Sequence, residues 1–132
     1  MTFRQRDFDK EPFLSFICKL EGWKTRCKNL HWSAPKKNIH VYLDEFLEIM
    51  SDYQDALAEG YMGILGKMEA LDINGTRCEK DNAMDFIEEV IEGTEQFYKE
   101  IPDEVIMKGI SSDCETFIQN CNKYQYLFSL CN

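Results

Sequence analysis

Five side chains in one stretch of this 132-residue chain have the types and spacing to hold a metal ion: His31, His40, Asp44, Asp55 and Glu59. His40 and Asp44 are four residues apart, as are Asp55 and Glu59, so on a helix each pair converges across a single turn. At roughly 100° per residue, His40, Asp44, Asp55 and Glu59 all fall on one stripe. Asp44 and Asp55, however, lie about 16 Å apart along the axis of such a helix, too far for one ion to span. Two copies packed antiparallel about a twofold near Ile49 and Met50 would bring His40 and Asp44 of one chain to Asp55 and Glu59 of the other. His31 would reach in from the preceding segment. The pattern therefore predicts a site shared between subunits and occurring twice in a symmetric dimer. Carboxylates with one or two imidazoles suit iron or manganese better than structural zinc, which favours thiolates.

The elements that must position these residues read as four helices. The first starts near Asp9 to Glu11 with Pro12 in its first turn, where a missing donor is harmless. Phe13, Phe16, Ile17, Leu20, Trp23, Cys27 and Leu30 follow helical spacing, and the helix stops at about Trp32 before Ser33-Ala34-Pro35. Lys36 and Lys37 are expected in a short exposed loop, with Asn38 as the N-cap of a second helix from Ile39. That helix runs at least to Glu59 and as far as Leu71 if Gly60, Gly63 and Gly66 allow. Its core face carries Leu43, Phe46, Leu47, Met50, Leu57, Tyr61 and Ile64. The segment Asp72 to Lys80 reads as a loop, with Asn74-Gly75-Thr76 as a turn. A third helix is expected from about Asn82 to Ile101, with Phe86, Ile87, Val90, Ile91, Thr94 and Phe97 inward, ended by Pro102. Asp103 to Lys108 can form one more turn. Ser112-Asp-Cys-Glu115 is a capping-box pattern opening a fourth helix to about Leu130, with Phe117, Ile118, Cys121, Tyr124, Leu127 and Phe128 inward. These lengths predict an all-α, single-domain four-helix bundle over residues 1–132. The connection between helices two and three is long enough for a crossover along the bundle.

Composition narrows the partners. A hydrophobic share of 44% against 30% charged residues excludes a disordered chain. The net charge of −9 argues against binding a phosphate backbone. The opening MTFRQRDFDK balances Arg4, Arg6 and Lys10 with two aspartates and makes a poor nucleic-acid tail. No secretory leader and no membrane-length apolar run is read in the chain. The six cysteines are widely spaced without a C-x-x-C pair, so reduced thiols and a cytoplasmic location are expected. Cys114 and Cys121, seven apart on one helix face, read as core thiols. The tyrosines read as packing or interface residues.

Asn29-Leu30-His31-Trp32, then His40-x-x-x-Asp44, then Asp55-x-x-x-Glu59, resembles the Dps-like mini-ferritins of the ferritin-like superfamily. The specific part of the resemblance covers this stretch; a weaker likeness extends through Glu59-Gly60 and Tyr124-Gln-Tyr-Leu-Phe128. It implies a ferritin-like bundle and a dinuclear iron-oxidising centre at a twofold dimer interface. Asp55 and Glu59 of one chain, with His31 of its partner, would hold the first Fe(II), and His40 and Asp44 would help hold the second. Peroxide or dioxygen would be the oxidant, Trp32 would intercept oxidising equivalents, and ferric mineral would collect in a dodecameric shell. The loop between the histidines, the link after the second helix and the whole chain are all shorter than is usual in that family, which bears on the shell more than on the centre. The alternative is a repurposed bundle, phage-encoded or part of a larger assembly, acting as a structural or interaction protein with its ligands idle or filled by manganese or zinc.

Overall fold

The computed structural model describes residues 8–131, apart from the Leu71 side chain, so Arg4 and Arg6 lie outside the described residues. Four helices account for the fold: α1 (Glu11–Trp32), α2 (Lys37–Leu65), α3 (Ala83–Glu100) and α4 (Lys108–Ser129). Short 3-10 turns occupy Ala70–Asp72 and Val105–Met107.

Local chemistry sets most of the boundaries. Asp9 Oδ1 accepts from the Glu11 amide at 3.1 Å, and Pro12 sits in the first turn of α1. The Asn82 side chain caps α3 by accepting from the Asp85 amide at 2.9 Å. At the end of α2, Gly66 takes φ 93° and ψ −175°, a conformation closed to residues with a Cβ. The helix therefore stops there and does not reach Leu71.

Three expectations need correction. The second helix begins at Lys37, because the carbonyl of extended Lys36 already accepts from the His40 amide at 3.1 Å. Asn38 is thus inside the first turn, and its side chain accepts from its neighbour Ile39 at 2.9 Å. The fourth helix begins at Lys108 and leaves the Ser112 pattern unused in its interior. That earlier start puts Met107, Ile110 and Cys114 into the core at helical spacing, while Gly109 sits where a Cβ would meet nothing within 4 Å. Asn74-Gly75-Thr76 forms no turn; it is irregular chain laid against α1.

Ring contacts give the helix directions. Phe13 meets Tyr61, and His31 meets His40, so α1 and α2 form an antiparallel hairpin. Tyr98 bonds Glu115 and Cys114 faces Thr94 in the second hairpin, α3–α4. Phe46 packs on Tyr124 and Tyr53 on Phe117, so α2 and α4 are antiparallel. Phe13 meets Phe97 and Trp23 bonds Glu89, so α1 and α3 are antiparallel too. It follows that α2 and α3 point the same way, and residues 66–82 must return between them. They do so on α1: the Cys18 thiol donates to the Asp72 carbonyl (3.3 Å), the Thr76 amide to the Cys18 carbonyl (3.0 Å), and Arg26 Nε to the Cys78 carbonyl (2.8 Å).

The core is aromatic along its whole length. Phe16 stacks on Phe97 at 4.2 Å and Tyr53 on Phe117 at 4.4 Å, with Phe46 against Phe86 beyond them. Each fully buried ring contributes on the order of 1.5–3 kcal/mol through area removed from water. All seven inward positions read for α1 are buried; Leu47, Ile64, Ile91, Ile118 and Leu127 are only half-buried.

Candidate functional site

His31 closes α1 and His40 lies in the first turn of α2, so the short connection between the helices sets the two rings face to face. Their centroids are 3.7 Å apart and their planes 19° from parallel. His31 Nδ1 lies 2.7 Å from the carbonyl oxygen of His40, and His40 Nδ1 lies 2.7 Å from the carbonyl oxygen of His31. A carbonyl can only accept, so each Nδ1 carries a hydrogen and each neutral ring keeps its lone pair on Nε2. An imidazole whose second nitrogen donates to a main-chain carbonyl has its tautomer and plane fixed, as metal-ligating histidines do.

Asp44 follows one turn below His40 on the exposed side of α2, on the flank towards α1. Its carboxylate is near Cys27, whose thiol is pushed up to about 12 by burial first and by Asp44 second. That thiol donates to the Leu43 carbonyl at 3.2 Å. Asp55 and Glu59 are exposed further down the same unbroken helix. None of these three carboxylates forms an ion pair among the described residues. Beside the histidines Trp32 is 69% exposed, and it borders a groove with Lys28 and the half-buried Leu47.

The structure thus brings His31 and His40 together and leaves Asp55 and Glu59 apart from them. Among the described residues of one chain, no three His, Cys, Asp or Glu side chains gather closely enough to hold a metal ion. The helix spacing was readable from sequence; the mutual clasp of the histidines was not, because it depends on the path of the turn. Sequence patterning also missed the burial of Gln54. Gln54 donates to the Ile17 carbonyl at 3.2 Å and accepts from Lys24 at 2.8 Å, which makes it a polar tie between α1 and α2. A polar residue on an apolar face gives no signal in a hydrophobic pattern.

All six cysteines are free thiols. No described helix is long and apolar enough to cross a membrane. No family model, no curated protein and no solved structure matches the chain.

Proposed function

We propose that this bundle binds and oxidises ferrous iron at dinuclear sites completed by a second copy of the chain, in the manner its Dps-like resemblance implies. The observation that carries this reading is the His31–His40 pair, whose two Nε2 lone pairs are kept available by reciprocal Nδ1–H donation. Three exposed carboxylates on the same helix, without ion-pair partners among the described residues, supply the hard oxygen donors. The spacing supports sharing: about 16 Å of α2 separates Asp44 from Asp55, a gap that an antiparallel second copy closes. Trp32 and Leu47 give such a copy apolar surface to cover.

Two ferrous ions are the substrate. Each gives one electron to a single peroxide, whose O–O bond breaks and takes up two protons to leave two waters. The chain's own residues bind and orient the ions, and their carboxylates favour the ferric product. Collection of that product in an oligomeric shell is the further extent of this reading.

The test is anaerobic Fe(II) titration followed by peroxide, with absorbance followed near the ferric band. Saturation is expected at about two irons per chain, since a symmetric dimer would carry two dinuclear sites. The double variant Asp55→Ala, Glu59→Ala should lose oxidation while keeping its helical circular dichroism. Oxidation that survives unaltered in that variant overturns the reading.

A further inference from the structure

Cationic charge on this acidic protein is unevenly placed. α2 carries six carboxylates against Lys37, and α3 six against Lys99. The stretch from Gly22 to Lys37 carries Lys24, Arg26, Lys28, Lys36 and Lys37 with no carboxylate. Where residues 66–82 pass over this part of α1, a cleft of about 430 Å³ opens. It is lined by Thr25, Arg26, Asn29 and Arg77 with the glycines Gly22 and Gly75, and by no acidic side chain. Arg26 is half-buried, and its Nε is tied to the Cys78 carbonyl at 2.8 Å. No carboxylate pairs with that guanidinium among the described residues. Arg77 is 80% exposed, and among the described residues its one ion pair is a surface contact to Glu79, 3.3 Å from its Nε.

We propose that this cleft is an anion site for a phosphoryl group, as the free ion or as a monoester, bound between Arg26 and Arg77. A half-buried guanidinium without a counter-ion has a desolvation cost that an anion would relieve. The donor inventory selects the class of anion. Two guanidinium forks, a hydroxyl and an amide offer more donors than the two oxygens of a carboxylate can use, and they match the oxygens of a phosphate dianion. Anchoring of the Arg26 Nε to the main chain fixes the plane of that fork before a ligand arrives. The site is separate from the histidine pair and does not depend on the iron reading.

Titration of the 15N-labelled full-length protein tests this, with inorganic phosphate and glycerol 2-phosphate as ligands and acetate at matched ionic strength as control. Saturable shifts are expected at the amides of Thr25, Asn29 and Gly75 with phosphate, and not with acetate. Shifts with both phosphorus compounds mark a phosphoryl site, and shifts with the free ion alone mark a phosphate site. Arg77→Gln removes an exposed side chain that the fold does not use, and should weaken binding at least fivefold. Arg26→Lys keeps the charge but loses the fork, and should weaken it about tenfold. Equal response to acetate, shifts that map elsewhere, or unchanged affinity in a folded Arg77→Gln protein would overturn the proposal.

Discussion

The carbonyl oxygen of Thr76 lies 1.6 Å from where a Cβ on Gly22 would stand, so residues 66–82 touch α1 backbone to backbone. No rotamer change can relieve such a clash, because the obstacle is main chain. Gly22→Ala must lift this segment from α1 and strain the Thr76–Cys18 hydrogen bond beside it. The loss should be at least about 1–3 kcal/mol, the usual range for overpacking. Urea unfolding checks this, and Gly63→Ala, where a Cβ would meet nothing within 4 Å, is the matched control.

Gly66 is constrained by its own dihedrals instead of by a neighbour. At φ 93° an alanine is strained wherever its methyl points, so Gly66→Ala should cost on the order of 1–3 kcal/mol. The same denaturation series measures it. A cost near zero would mean that α2 can end in another way.

In their neutral form the two histidines should both be Nδ1–H tautomers, since each donates to the other's carbonyl. Long-range 1H–15N correlation spectra distinguish this from the Nε2–H form directly. His40→Ala removes one donor and the ring stack but leaves the His40 carbonyl in place to hold His31. Stability should fall by no more than about 1 kcal/mol, as for a single exposed hydrogen bond. Ferrous oxidation, on the proposed reading, should fall far more.

Burial holds several thiols in their neutral form: Cys27 up to about 12, Cys78 and Cys114 up to about 11, against an ordinary 9.0. The folded chain therefore keeps these protons to a higher pH than the unfolded chain. Their contribution to stability is fully present below pH 9 and is lost as pH rises towards 11–12. Urea midpoints should fall across that window. Aromatic-disulfide titration at pH 8 should find the buried thiols slow in the native protein and all six reactive once it is denatured.

Tyr53 has a buried hydroxyl without a hydrogen-bond partner among the described residues. The Cys114 thiol lies beside it, but sulfur is a weak partner and the contact falls short of hydrogen-bond geometry. Removing an unsatisfied group costs nothing in lost bonds, so Tyr53→Phe should be neutral or stabilising by up to about 1 kcal/mol. A loss well above that would show that the thiol contact matters. Thermal unfolding gives the answer.

The fold was legible where local chemistry and packing agree. Pro12 and Pro35 bracket α1, Asn82 and Pro102 bracket α3, and the inward positions of α1, and those of α3 except Ile91, are buried. It was misread where they compete. Ser112-x-x-Glu115 is a good local start signal, yet burying Met107 and Ile110 outweighs a cap and pulls the start of α4 back to Lys108. For the site, the helical spacing of His40, Asp44, Asp55 and Glu59 is a one-dimensional property and could be read directly. The stacking of His31 on His40 is set by the turn between two helices, and no residue type announces it. Arg26 and Arg77 lie 51 positions apart and share a cleft only because of the path of residues 66–82.

That same path divides the molecule in a useful way. A chain cut between Gly66 and Asn82 would give two helical hairpins, α1–α2 and α3–α4, joined afterwards by packing and by the Trp23–Glu89 and Tyr124–Glu45 hydrogen bonds. His31, His40, Asp44, Asp55 and Glu59 all belong to the first piece, while Phe97 and Phe117, which complete the aromatic core, belong to the second. A gene split at this segment would therefore give a two-fragment system in which the candidate ligands sit on one fragment and the other completes the core beneath them.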